Sequence, residues 1–215
     1  MLVTKGYLTK LVEDTTKKIF NSMRWTTILP QGYQKAQYIQ SSGSQYIDIG
    51  YVLTENDSIE MDYELLDLND GGDKFLLGVS SNTSEIGSIW VETYGAENKW
   101  YCRYGSSASA NATFNNQGRG TLIMKKGSFS INEIEVLQTN FKSMPNTSIT
   151  IFGRKNADGQ VSGRTMRIGG FRVKNGEELK MDLIPCIDPN NKIGMYDMVS
   201  KTFFENNGSG SFVCG

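Results

Sequence analysis

The chain has 215 residues, 38% of them hydrophobic, with 23 glycines and a formal net charge of −1. That is enough for one substantial, turn-rich domain with an appendage or for two small ones, and it gives no global positive field of the kind nucleic-acid binding uses. There is no histidine, which excludes Ser-His-Asp and Cys-His nucleophiles, histidine-ligated zinc and histidine acid–base work, so catalysis would have to run on carboxylates.

Residues 1–25, "MLVTKGYLTKLVEDTTKKIFNSMRW", hold five bases (Lys5, Lys10, Lys17, Lys18, Arg24) against Glu13 and Asp14, a local charge of +3 that leaves −4 for the rest. Leu8, Leu11, Val12, Ile19 and Met23 fall near one helical stripe, interrupted by Thr15, and Thr4 stands where an N-cap belongs. The spacing predicts an amphipathic helix about 27 Å long, at ~1.5 Å per residue. Its stripe must be covered, either by the chain's own domain or by copies of itself or another protein. A linker over 26–34 follows, broken by Pro30 and Gly32. The N-terminus lacks the apolar core of a signal peptide. No apolar run approaches the ~20 residues of a membrane span, so no membrane partner is expected.

From residue 35 to 215 the hydrophobic period is 2. In "DSIEMDYELL" Ile59, Met61, Tyr63 and Leu65 alternate with Ser58, Glu60, Asp62 and Glu64, which predicts a half-buried strand. Further strands are expected at "AQYIQ", "QYIDIG", "KFLLGV", "GSIWVE", "NKWYCRYG", "GTLIMKK", "TSITIFGR", "RIGGFRV", "ELKMDLIPC" and "KTFF". "FSINEIEV" reads as a hairpin turning at Asn132-Glu133. About a dozen short strands without a helical period predict one all-β sandwich, with Ile59, Met61, Tyr63, Ile149 and Ile151 inside.

Three patterns carry candidate chemistry. "EMDYE" places Glu60, Asp62 and Glu64 on one face of one strand. It resembles the E-x-D-x-E strand of a glucanase family built on a jelly-roll sandwich. Retaining glycosidases hold two carboxyls ~5–5.5 Å apart, whereas residues four apart on a strand are about 13 Å apart at Cα. The alternative is a solvent face of acids. Trp90, Tyr94, Trp100, Tyr101 and Tyr104 offer ring faces for sugars, although alternation turns half of them inward. "DLNDGGDK" (67–74) has Asp67, Asn69 and Asp70 in a calcium-loop arrangement, but the twelfth position is Gly78 and a plain turn fits as well. Cys102, Cys186 and Cys214 lack CxxC spacing and suggest neither disulfides nor a zinc site. No metal and no cofactor are expected.

Two terminal segments are more distinctive. "LPQGYQKAQYIQSSGSQYIDIG" (29–50), and "MDLIPCID" with the following "IGMYDMVSKTFFENNGSGSF" (193–212), resemble the opening and closing segments of a family of bacteriophage and prophage virion proteins. The resemblance implies a concanavalin A-like (laminin-G/lectin-type) jelly roll serving as a virion surface module: a head decoration, head fibre or tail-associated protein made in the bacterial host cytoplasm. It carries over no catalytic residues. It also implies that the first and last strands lie side by side. Phe203-Phe204 and a turn bearing Phe212 would close on the opening strands, with Tyr196 and Phe212 as core plugs. The expected partners are other virion proteins, host-surface glycans, and copies of the chain joined through the N-terminal helix, a trimer by analogy with fibres. The rival readings are a glycoside hydrolase using Glu60 and Glu64, and a stand-alone glycan-binding lectin.

Overall fold

The computed structural model describes residues 28–67, 74–80, 88–94, 99–106, 110–113 and 118–215. The chain divides into two units, Met1–Gln31 and Gly32–Gly215. The anticipated helix, with its Leu8, Leu11, Val12, Ile19 and Met23 stripe, lies outside the described residues.

The second unit is built of strands. β1 (Gln34–Lys35), β2 (Ile39–Ser42) and β3 (Ile47–Asp48) open it, followed by β4 (Asp57–Leu65), β5 (Lys74–Val79), β6 (Ser88–Tyr94), β7 (Lys99–Ser106) and β8 (Ala110–Thr113). β9 (Arg119–Lys125), β10 (Ser128–Ile131) and β11 (Ile134–Gln138) form a meander. β12 (Thr150–Ile151), β13 (Gly153–Lys155) and β14 (Val161–Gly163) are short; β15 (Thr165–Asn175) and β16 (Glu178–Ile187) are long. β17 (Ile193–Asp197), β18 (Phe203–Phe204) and β19 (Val213–Cys214) complete the series.

These strands make two antiparallel sheets. The first runs β11-β10-β9-β4-β15-β16-β17-β18, with β2 on β15, β1 on β16 and β19 on β2. The second runs β14-β13-β5-β6-β7-β8, with β12 bridging β5 and β3; Lys155 beside Val79 is a parallel contact, the only one among the described residues. The inner faces share a single core. Tyr63 of the first sheet meets Trp100 of the second edge-on at 5.8 Å, and Trp100 tilts on Phe129 at 5.7 Å. Ile59, Met61, Tyr63, Ile149 and Ile151 are all buried there, and the period-2 reading of "DSIEMDYELL" holds in β4. In "TSITIFGR" it does not, because Thr150 and Phe152, which alternation would have turned outward, are buried as fully as Ile149 and Ile151.

Local chemistry explains the joints. Asn132 and Glu133 both have positive φ (51° and 68°), the mirror-image turn that matches the twist of a two-residue hairpin. Asn132 tolerates this conformation and also accepts the Thr121 N–H through Oδ1 at 3.0 Å. Phe152, between β12 and β13, has φ 68°. That kink sends Ile151 and Phe152, consecutive in sequence, into the same core, where Phe152 packs on Phe212 at 4.9 Å.

The closing segment differs from expectation in two ways. "IGMYD" forms a strand, β17, that is absent from the expected set, and the Phe203–Phe204 strand pairs with it rather than with the opening strands. The contact with the opening strands is made later, by β19: Val213 pairs with Gln40 and Cys214 with Ile39. The cause is the loop between them. Asn207 N–H bonds to Tyr46 O (2.8 Å) and Ser209 N–H to Ser44 O (3.1 Å), while the Asn206 and Asn207 side chains accept from Tyr46 and Asp48 N–H. These bonds carry the chain back to β2. Phe212 is buried in the core; Tyr196 is buried against Tyr33, edge-on at 5.0 Å.

Candidate functional site

The outer face of the first sheet collects the polar side chains of β4 and their cross-strand partners. Glu60, Asp62 and Glu64 share that face, as period 2 requires, and β15 lies beside them with Arg172 opposite Glu60 and Arg167 opposite Glu64. Arg167 Nη1 is 3.0 Å from Glu64 Oε2, its Nε donates to Gln40 Oε1 at 3.0 Å, and its guanidinium lies 4.3 Å above the Tyr38 ring. Arg172 Nε reaches Asp182 at 2.7 Å and its Nη1 reaches Glu60 at 3.4 Å; Lys174 stands 4.0 Å from Glu60. Asp62 accepts from Thr121 Oγ1 at 2.5 Å. The sequence pointed to the carboxylates but not to Arg167, Arg172, Gln40 or Tyr38. The trace of the two arginines in the sequence is "RIGGFR", with an arginine at each end of a glycine pair.

This arrangement bears on the hydrolase reading. A catalytic pair needs one carboxyl in surroundings that keep it protonated and a second within a few ångströms of the same bond. Glu60 and Glu64 instead sit on one extended strand, each against a different guanidinium. They form rungs of a cross-strand charge ladder, a common way to stabilise a solvated sheet face.

The aromatic residues separate by alternation. Trp100 is a core residue with no exposed surface, and so is Tyr104, whose hydroxyl donates to Asp57 O at 2.5 Å; neither offers a face to a sugar. Trp90 lies on the opposite face of its sheet, beside Phe75 (5.6 Å, edge-on), with the Arg103 guanidinium 5.1 Å from its ring and Arg154 3.7 Å above Phe75. Trp90 is only 4% exposed, so its ring is already covered. Tyr101 is half-buried on β7; the Tyr94 side chain lies outside the described residues. In "DLNDGGDK" Asp67 is exposed and its carbonyl accepts from the buried Arg164; Asn69 and Asp70 lie outside the described residues. Among the described residues no group of three acids or cysteines is placed to hold a metal ion.

Several other ionisable groups are held by burial and hydrogen bonds. Asp57 is buried and accepts from Thr54 N–H (2.6 Å) and Asn175 Nδ2 (2.8 Å). All three cysteines are free thiols, Cys102 and Cys186 buried. Burial raises both, Cys186 to about 12 despite an opposing backbone hydrogen bond involving Tyr196. Burial works to raise the Asp48 carboxyl too, but hydrogen bonds from Lys155 (2.5 Å), Ser148 and Gly50 outweigh it and hold Asp48 below its ordinary value.

No protein-family model matches the chain, and no curated protein matches it in sequence.

Proposed function

We propose that this chain is a non-enzymatic structural protein of the phage virion surface, attached through its N-terminal segment and displaying a lectin-like β-sandwich. One observation carries the reading. The two sequence segments that resemble phage virion proteins, far apart in the chain, are physically one unit: the Asn206–Ser209 loop bonds to Ser44–Asp48, Tyr33 packs on Tyr196 and Phe203, and β19, just past the closing segment, lies on β2. A pair of motifs that fold against each other is a coherent module boundary, which supports reading them together. The division into Met1–Gln31 and Gly32–Gly215 supports an attachment segment distinct from a display domain.

The decisive experiment is assembly. A chain lacking residues 1–25 should fold, run as a monomer and fail to join the particle, whereas the full chain should be oligomeric, with a trimer expected. Incorporation of the truncated chain refutes the attachment role. The hydrolase alternative is tested on capsular and plant glucans with the full chain and Glu60→Gln. Turnover that the substitution abolishes would overturn the non-enzymatic reading.

A further inference from the structure

The order of the first sheet ends on β18, so among the described residues no strand lies on its far side. Antiparallel pairing fixes which groups point there. Asp197 N–H donates to Thr202 O at 2.8 Å, and in the same register Tyr196 faces Phe203 and Met195 faces Phe204. Bonded and non-bonded pairs alternate along such a ladder. Thr202 and Phe204 therefore turn their backbone groups toward β17, and Phe203 turns its N–H and C=O outward. Both phenylalanines are half-buried, Phe203 against Tyr33 at 5.8 Å and Phe204 against the core. Backbone donors and acceptors left open in this way are a template for a further strand.

The charges of this edge select the strand it accepts. The run is "KTFFE", Lys201 to Glu205, in which Lys201, Thr202 and Glu205 are exposed. A two-fold axis through Phe203 sets Thr202 against Phe204 of a second copy, Phe203 against its own equivalent, and Lys201 beside Glu205 at both ends. Phe203 is then the central hydrogen-bonded pair, and its outward N–H and C=O are the groups that pair requires. Two aromatic side chains meet across the strands, and each terminal charge finds an opposite one. Lys201 has a φ of 61°, so backbone pairing stops short of it and the end charges meet through their side chains. Their contacts within one chain, Lys201 Nζ to Met198 O (2.7 Å) and Glu205 to Lys192 (2.6 Å), are exposed; such contacts contribute little and are readily exchanged. β11, at the other end of the same sheet order, lacks this symmetry: a two-fold through its central Val136 sets Glu135 against Leu137.

We propose that β18 is a contact surface for a second copy of this chain, joined edge to edge and antiparallel about Phe203. The contact is isologous, so it joins copies in pairs and is separate from the contact through the N-terminal segment. So short a pairing is weak between two free chains and strong where copies are already held close together. The proposal rests on the display reading for that crowding, and its test does not need the particle.

Full-length chains grown in heavy and in ordinary nitrogen are mixed and treated with a water-soluble carbodiimide, and the cross-linked peptides are identified by mass spectrometry. A Lys201–Glu205 amide joining one heavy and one ordinary peptide is expected. In sedimentation equilibrium the mass of the full chain should double as concentration rises. Lys201→Glu and Glu205→Lys should each weaken that association about tenfold, by setting like charges together at both ends. The double exchange should restore it, with the melting temperature unchanged throughout. Absence of the mixed-isotope amide overturns the proposal, as does a single exchange that associates like the parent or a double exchange that fails to recover. If Lys201→Glu impairs entry into a particle while the mixed amide is absent, the edge serves another virion protein and the second-copy assignment is wrong. A chain that pairs at β18 yet never enters a particle refutes the display reading and leaves the pairing standing; one that enters without the mixed amide refutes the pairing alone.

Discussion

Replacing Asp197 by alanine tests how the closing segment is held. Asp197 ends β17 with no exposed surface. Its Oδ1 accepts the Asp182 N–H at 2.8 Å and the Val199 N–H at 3.1 Å, and its Oδ2 accepts the Ser200 N–H at 3.1 Å. One side chain therefore ties the turn after β17 back onto β16. A hydrogen bond to a charged group contributes about 1.5–3 kcal/mol, and a donor left unpaired and buried costs about 1–3 kcal/mol. Val199 and Ser200 are exposed, so water replaces their lost acceptor; Asp182 lies within the sheet, and its N–H is left poorly satisfied. The sum expected for Asp197→Ala is about 2–4 kcal/mol. For a domain of this size a loss of about 3 kcal/mol lowers Tm by about 6–12 °C. Asp197→Asn keeps the Oδ1 acceptor and should lose about 1–2 kcal/mol. Urea unfolding followed by the fluorescence of the buried Trp90 and Trp100 reads both. An alanine variant within about 0.5 kcal/mol of the parent, the range of an ordinary surface change, refutes the assignment, as does an asparagine variant that loses as much as alanine.

Other positions yield separate expectations. Gly194→Ala places a Cβ 2.2 Å from Phe204 O and should cost more than about 3 kcal/mol by forcing β17 and β18 apart; a normal melt would show that the two strands are free to separate. Glu133→Gly removes a side chain from a left-handed φ of 68° and should stabilise the hairpin by about 0.5–1 kcal/mol, checked by the same urea titration. Because the folded Asp48 carboxyl is held below its ordinary value, its stabilising contribution is complete above about pH 3.9 and is lost as the pH falls through the lower folded value. Lys155→Met should accordingly flatten the acid limb of the stability profile, and an unchanged limb counts against the Asp48–Lys155 pair. In the native protein Cys102 and Cys186 should resist an aromatic disulfide reagent at pH 8, while the partly exposed Cys214 reacts. Three equally fast thiols would contradict the burial.

Much of the core was legible because β4, β7, β15 and β16 are long enough for a period of 2 to repeat. The same alternation that buries Ile59 and Met61 puts Glu60 and Glu64 outside and divides Trp90 from Trp100. What escaped was short. β1, β14 and β19 have two or three residues each, too few for any period, and their strand character comes from the neighbour they pair with. β17 was obscured by its Gly194, which reads locally as a turn but serves close approach to Phe204. Arg167 and Arg172 were visible only as the arginines at the two ends of "RIGGFR", and a charge on the outer side of a strand is what any solvated face shows. Only their register against Glu64 and Glu60 gives them a role, and register is a property of the sheet.

The pairing of β19 with β2 also has a consequence in time. Val213 meets Gln40, 173 residues earlier in the chain, and at synthesis rates of about 5–20 residues per second that interval is roughly 9–35 s. Throughout it, the backbone of Tyr38 to Gln40 has one side without its eventual neighbour. Closing so long a loop is entropically slow and comes late in folding. A polypeptide interrupted anywhere before residue 213 would keep an open strand edge, a feature that invites pairing with other chains. Only a chain translated past this seam can cover the edge of its own β2.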